Sequence, residues 1–271
     1  MDAATHALAS LALARGFFPR RHWSIPLGMV VSGTIADVDC LSALFGPAAY
    51  FEAHRTWTHS LPGVVIIVLL SALLVRLLQK TNRNSLPAIL LPLFCASVLH
   101  LVLDVCQSEG VALLWPFRST RFAADWLPGT EPWILALLAF GVVLPEFFRL
   151  ISSEIGAKDK TPRGRNGALV ALALALVCVG ARAIAHASSV ALLEPHTYQG
   201  ESARSIGAFP STLSMLTWRG VVETASLLCT MDVPVAGGAP FDPESANCIH
   251  KPDASPQLTA AQETGVGRKY L

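Results

Sequence analysis

The chain has 271 residues, of which 52% are hydrophobic and only 14% are charged. Soluble domains carry about 25% charged residues, so this composition excludes an ordinary soluble domain and indicates an integral membrane protein. The formal net charge is +1, which excludes the strongly basic surface of a nucleic-acid-binding domain.

Two short apolar segments come first, at residues 3–18 and 23–45. Both are rich in small residues, and both carry acids or a histidine. Polar side chains of this kind are tolerated at membrane depth where they are buried in protein rather than exposed to lipid. We therefore predict two short or broken helices that pack inside the protein.

Four longer apolar segments follow, at residues 61–79, 86–106, 132–150 and 167–187. Each approaches the roughly 20 residues that a helix needs to cross the hydrocarbon core of a bilayer. The predicted fold class is an all-α integral membrane bundle, with four strong spans plus two short or broken N-terminal helices. This helical membrane domain would occupy residues 1–187.

Residues 188–271 differ from the rest, because they contain many Pro, Gly and Ser residues and no span. The alternation in residues 211–230 predicts a short strand or hairpin, and residues 232–265 read as loop. We predict a small α+β or β tail. Cys229 and Cys248 would form a disulfide in an oxidising compartment, but two free thiols are equally compatible with their spacing.

The basic residues predict the orientation. They cluster at residues 15–21, 80–83 and 158–165, and these three loops share one side if each segment crosses once. Basic loops face the cytoplasm. We therefore predict a multi-pass protein of the bacterial inner (plasma) membrane, whose C-terminal tail lies on the extracytoplasmic side.

Polar residues gather near the predicted outer ends of four separate segments. Ionisable side chains in membrane segments are costly and usually functional. At about 1.5 Å of rise per residue, the polar residues of these four segments lie within roughly 10 Å of the predicted outer membrane surface. The residues concerned are Asp2, His6, Asp37, Asp39, His54, His59, His100 and Asp104.

Each of these residues alone has an ordinary interpretation, such as a helix cap, a structural pair or a solvated loop residue. Together their convergence predicts a metal site, and His100 and Asp104 share a helix face at i,i+4 spacing. Asp37 and Asp39 would point apart on a regular helix. Either the backbone breaks between Gly33 and Asp39, or one acid binds metal while the other orients a ligand.

Histidine and carboxylate ligands without thiolate suit zinc, manganese or iron. We predict a divalent metal, with zinc favoured, as one or two ions. Arg55 could hold a phosphate oxygen; an exposed loop arginine or a lipid-headgroup contact is an equally compatible interpretation.

Four motifs then occur in a characteristic order: "MDAATHALAS", "ADVDC", "HRTWTHS" and "HLVLDVCQSEGVALLWPF". They resemble the YdjM-like family of inner-membrane proteins, described as metal-dependent hydrolases, over about residues 1–223. The resemblance implies metal ligands at Asp2, His6, Asp39, His54, His59, His100 and Asp104. Where the family usually has an aspartate before a proline, this chain has Glu131, which the resemblance implies as a further ligand. A weaker likeness to zinc-dependent phospholipase C implies phosphodiester chemistry at the membrane surface.

The predicted function is a membrane-bound metal-dependent hydrolase that uses metal-activated water. Its expected partners are membrane lipid and a small-molecule or lipid phosphoester, and Asp37, Asp39 and Arg55 are the candidate catalytic residues. The alternative is a non-enzymatic metal-binding or metal-transporting membrane protein. A transporter would spread polar residues across the bilayer depth, whereas these gather at one face.

Overall fold

The computed structural model describes residues 1–19, 22–79, 84–154, 164–235, 241–253, 255–265 and 267. Most of the basic residues that predict the orientation lie outside these ranges, namely Arg20, Arg21, Lys80, Arg83, Lys158, Lys160 and Arg163. The described chain divides into two compact units. The first comprises Met1–Val105, Glu109–Ala123 and Pro132–Val177; the second comprises Cys106–Ser108, Ala124–Glu131 and Cys178–Leu271.

Seven α-helices and one 3-10 segment make up most of the chain up to residue 193. They are α1 (Ala3–Phe17), α2 (Ser24–Ser32), the 3-10 segment (Ile35–Phe45), α3 (Pro47–Ala53), α4 (Leu61–Leu78), α5 (Leu86–Val105), α6 (Pro132–Glu154) and α7 (Arg165–Leu193). Four of them, α4 to α7, are long and apolar enough to cross a membrane. The predicted helical class with four candidate spans is confirmed, and α7 extends beyond the predicted end at residue 187.

Helix α4 shows why these helices suit a bilayer. Val64 and Val75 are buried in the core, while Leu69 and Leu73 on the opposite face are more than half exposed. Contiguous exposed apolar surface of this kind mismatches water but matches lipid. Ser60 begins the helix by accepting a hydrogen bond from the Gly63 amide at 3.1 Å.

A break separates α2 from the 3-10 segment, and the two axes are bent by 42°. Gly33 ends α2, and a Cβ placed there would lie 2.0 Å from Ser10 Oγ of α1. Only glycine allows so close an approach. The backbone break, which is the first of the two alternatives given for Gly33 to Asp39, is therefore present. It changes the directions in which Asp37 and Asp39 project.

The second unit contains an antiparallel sheet with the strand order β3-β4-β5-β6 and a separate short hairpin. The hairpin is β1 (Thr197–Tyr198) with β2 (Glu201–Ser202); the sheet strands are β3 (Ser205–Pro210), β4 (Thr217–Glu223), β5 (Leu227–Pro234) and β6 (Asn247–His250), and α8 (Pro256–Gln262) follows. Trp218 of β4 is fully buried in the core of this unit. The predicted β element at residues 211–230 is confirmed.

The predicted loop at residues 232–265 is wrong in part. This range contains the end of β5, all of β6 and helix α8. The four-residue strand β6 has too little alternation to be recognised alone, and its pairing with β5 brings Cys248 opposite Cys229. These two cysteines form a disulfide.

Removing this disulfide should destabilise the sheet. The bridge closes a chain segment with a sequence separation of 19, so the double variant Cys229→Ser/Cys248→Ser should lose about 3 kcal/mol of stability. Hydrogen exchange of the β5 and β6 amides measures the effect. Cys95→Ser, which changes a free half-buried cysteine, is the control, and unchanged protection of β6 in the double variant would contradict the expectation.

Candidate metal centre

His6 lies near the N-terminal end of helix α1, and its side chain is buried in the first unit. Asp2 caps this helix, since its carboxylate accepts hydrogen bonds from the Thr5 amide at 2.9 Å and the Thr5 hydroxyl at 2.8 Å. The cap sets the start of the helix. His6 is 1% exposed, and its Nε2 atom lies 3.2 Å from Asp104 Oδ1.

Helix α5 contributes the i,i+4 pair predicted from the sequence. His100 Nε2 lies 3.1 Å from Asp104 Oδ2, and both side chains are buried. The other ring nitrogen of His100 lies 3.0 Å from the Gly33 carbonyl oxygen, so Nδ1 carries the proton there. This tautomer leaves a lone pair on Nε2, the ring atom that lies beside Asp104. A histidine needs such a lone pair to bind a metal.

His59, immediately before the first turn of α4, completes a compact arrangement with this pair. Its Nε2 atom lies 3.0 Å from His100 Nε2 and 3.2 Å from Asp104 Oδ2. The three donor atoms form a nearly equilateral triangle. Donors that are about 2.0–2.2 Å from a shared ion are roughly 3–4 Å from one another, so the triangle has the spacing of one face of a coordination sphere.

A set of four side chains offers one donor atom each within 4.8 Å of all the others: His6, Asp37, His100 and Asp104. We call these four the donor group. Asp37 Oδ1 also lies 3.6 Å from His59 Nε2. Among the described residues, His6 Nδ1 and Asp37 Oδ2 are buried without a hydrogen-bond partner. Because buried polar atoms usually have partners, the orphaned atoms and the donor spacing together mean that this cluster could hold a metal ion.

Asp39 lies outside the donor group and organises the loop that carries His59. Its Oδ2 atom accepts hydrogen bonds from the Arg55 amide and the Thr58 hydroxyl, both at 2.8 Å. The same oxygen lies 3.1 Å from His59 Nδ1, and Oδ1 lies 2.9 Å from His54 Nδ1. A carboxylate on Nδ1 turns Nε2 of His59 towards the donor group, as outer partners of metal-binding histidines do.

Arg55 sits in the left-handed backbone region, with φ of 53°. A non-glycine residue adopts this conformation at a cost, and the bond from its amide to Asp39 holds it there. The result is a buried guanidinium, 4% exposed, with Nη2 3.3 Å from Asp104 Oδ1. Arg55 is therefore not an exposed loop arginine.

Glu109, in the loop after α5, lies close to both Arg55 and His54. Its Oε2 atom lies 3.5 Å from Arg55 Nε and 3.5 Å from His54 Nε2. The hydrogen bond with His54 is the main cause that lowers the pKa of Glu109 to about 2. Burial lowers the pKa of His54, but its bonds to Asp39 and Glu109 outweigh burial and raise it.

The electrostatics of the centre favour a cation. Burial lowers the pKa of His59, but hydrogen bonds to three carboxylates outweigh this effect and raise the pKa to about 10. The α-amino group of Met1 also contacts Asp104 Oδ1. The carboxylates thus draw positive charge into a buried space, which is the same attraction that a divalent ion experiences.

The predicted positions are not all brought together. The sequence predicts that His59, His100, Asp104 and Asp39 approach a common point, with His6 and His54 at its edge. The structure instead places His6 in the donor group and Asp39 behind His59. His54, predicted as a ligand, bonds to Asp39 and Glu109.

Two further predicted ligands have other partners. Asp2 caps α1. Glu131 is fully buried in the second unit, where its Oε2 atom lies 2.7 Å from Arg182 Nη2. A buried carboxylate needs such a partner, and this partner accounts for Glu131 without a metal.

The sequence does not predict Glu109, although it lies within the motif "HLVLDVCQSEGVALLWPF". A single acid in a loop carries no periodic signal. Its position in that motif, five residues after Asp104, is the clue that the sequence offers.

Comparison with known proteins places this centre in a family. The model of the YdjM inner membrane protein family matches residues 1–188. The chain belongs to the YdjM inner membrane protein family. The matched range contains the whole donor group, His59 and Asp39, but it ends before residue 223, the predicted end of the resemblance.

A curated relative is similar to part of this chain. The chain is 25% identical over 143 residues to the uncharacterized protein YfhP of Bacillus subtilis (strain 168). That match covers 49% of this chain and 43% of the relative, so the chain spans less than half the length of the relative. No solved structure matches the chain.

Proposed function

We propose that this member of the YdjM family is a membrane-bound metal-dependent hydrolase that acts on a phosphoester, either a small molecule or a lipid headgroup. The observation that carries the proposal is the buried donor group with the Arg55 guanidinium against it. A cation site beside a buried cationic side chain suits an anionic substrate. A carrier of metal ions alone has no use for Arg55 at this position.

The proposed ligands are the donor group together with His59. Nitrogen and carboxylate donors suit zinc, with manganese or iron as alternatives, and the number of donors is sufficient for one or two ions. A divalent metal held here would supply Lewis acidity and a bound water with a pKa of about 7.

The side chains around the donor group would perform the remaining tasks. Arg55 can bind a phosphate oxygen through two parallel N–H groups, and the substrate phosphate would take the place that Glu109 now holds at Arg55 Nε. Asp37 is half-buried and its Oδ2 atom has no partner among the described residues, so it can accept a proton from the attacking water. Asp39 keeps His59 and Arg55 oriented while these steps occur.

Hydrolysis of phosphoesters by the purified full chain in detergent tests the proposal. Bis(p-nitrophenyl) phosphate and a phosphatidylglycerol micelle serve as the soluble and lipid substrates. We expect turnover that a chelator removes and zinc or manganese restores. Metal-replete protein that hydrolyses neither bis(p-nitrophenyl) phosphate nor phosphatidylglycerol would contradict the hydrolase.

Replacing Arg55 should affect substrate binding more than metal binding. Loss of a charged hydrogen bond costs about 1.5–3 kcal/mol, or roughly 10- to 150-fold, so Arg55→Gln should raise KM by that factor. Metal content measured on the same sample should remain. Arg118→Gln, at an exposed position in the same unit, is the matched control; if Arg55→Gln loses the metal and Arg118→Gln does not, Arg55 has a structural role instead.

We further propose that the centre and the tail lie on the extracytoplasmic side. The basic loops and the Cys229–Cys248 disulfide support this orientation, because disulfides persist in oxidising compartments. Alkaline phosphatase fused at the C-terminal end should be active in a bacterial host, and the same reporter fused after Leu78 should be inactive. The opposite pattern would place the centre at the cytoplasmic face.

A further inference from the structure

A second feature lies at the other end of α1. A partly open cavity of about 500 Å³ is lined by the end of α1, the start of α2 and the end of α6. Its polar lining consists of Arg15, Glu146 and Arg149. Arg15 follows His6 by nine residues, which is about 14 Å along the helix, so this cavity is separate from the metal centre.

The charges in the cavity favour an anion. The Glu146 carboxylate contacts two guanidinium groups. Its Oε2 atom lies 2.8 Å from Arg149 Nε, and its Oε1 atom lies 3.5 Å from Arg15 Nη2. Arg15 also donates to the Val142 carbonyl oxygen at 2.6 Å. One carboxylate thus faces two cations, and the excess positive charge is accessible because the Arg149 side chain is 54% exposed.

The remaining lining is apolar, and its position suits a membrane interface. Leu11, Phe18 and Trp23 contribute to the walls, and Trp23 is 58% exposed. Arg149 lies two residues before the end of the candidate span Pro132–Ile151. Tryptophan and arginine at the end of a span are typical of the headgroup layer of a bilayer.

We propose that this cavity binds an anionic phospholipid, with the headgroup phosphate on Arg15 and Arg149 and an acyl chain along the apolar wall. Basic pockets between membrane helices recognise anionic headgroups in this way. The combination of two cations with an apolar wall favours a lipid over a free phosphate, which would leave the wall uncovered. The site does not depend on the hydrolase proposal.

The proposal is tested by native mass spectrometry, which measures binding of phosphatidylglycerol to the full chain in neutral detergent. Arg149→Gln should weaken binding about fivefold, the effect of one basic residue near a headgroup. Glu146→Gln should tighten binding, because it removes the carboxylate that competes for both guanidinium groups. Arg219→Gln, at a 62% exposed arginine of the second unit, should leave binding unchanged.

Three results would overturn the site. They are equal binding of phosphatidylcholine, equal loss of binding in the Arg149 and Arg219 variants, and displacement of the lipid by inorganic phosphate at the same concentration. The last result would mean a site for free anions. Both decisive variants change partly exposed side chains, so they test the cavity without removing the Arg15 bond that joins α1 to α6.

Discussion

Replacing Asp104 with asparagine should strongly weaken metal binding by the purified protein. Asp104 is fully buried, with Oδ1 near His6 and Arg55 and Oδ2 near His59 and His100. It therefore contacts three histidines and Arg55 at once. Loss of a residue that hydrogen-bonds to a metal ligand costs about 10- to 100-fold in metal affinity. Asp104 is proposed to be a ligand itself, so loss of its carboxylate should cost at least about 100-fold.

The same variant should also be less stable without metal. Removing one member of a buried ion pair costs about 3–5 kcal/mol, because the Arg55 charge loses a carboxylate partner. Metal affinity by competition with a chelator and unfolding by denaturant measure the two effects separately. Asp232→Asn, at a 69% exposed aspartate, is the control, and zinc affinity within tenfold of the unchanged protein in Asp104→Asn would contradict Asp104 as a ligand.

Replacing Asp39 with alanine should have the second largest effect, through the loop rather than through direct ligation. The variant leaves the Arg55 amide and the Thr58 hydroxyl without their acceptor and releases the His59 ring. Unsatisfied buried donors cost about 1–3 kcal/mol each. We expect stability to fall by several kcal/mol, and metal affinity to fall 10- to 100-fold.

Asp2→Ala is the informative comparison for Asp39→Ala. The resemblance implies Asp2 as a ligand, but in the structure Asp2 caps α1. Its replacement should cost about 1 kcal/mol of stability and leave metal affinity unchanged. If Asp39→Ala loses the metal as completely as Asp104→Asn, Asp39 is itself a ligand; if Asp2→Ala loses it, the donor group is larger than the four residues assigned here.

The sequence predicts the parts of this protein that depend on local patterns. The four candidate spans follow from length and hydropathy, and the contact between His100 and Asp104 follows from their i,i+4 spacing on α5. The gathering of polar residues at one depth predicts which elements carry the centre. These features need no knowledge of how the chain packs.

The exchange of roles between Asp39 and His6 could not be read from the sequence. It depends on the 3-10 geometry of Ile35–Phe45, which sends Asp37 towards Nε2 of His59 and Asp39 towards Nδ1. Glu131 illustrates a second limit, because its partner Arg182 lies 51 positions later in the chain. Strand β6 illustrates a third, since its pairing with β5 has no signal within its own four residues.

Binding of a divalent metal to the buried histidines and aspartates underlies every proposal made for this centre. Elemental analysis of the full chain purified without added metal or chelator tests it most directly, next to the His59→Ala variant and the control His250→Ala, which changes an exposed histidine of β6. We predict one or two equivalents of a metal such as zinc in the unchanged protein and in His250→Ala, and a large loss in His59→Ala. Equal metal content in all three proteins, or none in any of them after zinc is supplied, would contradict the metal centre.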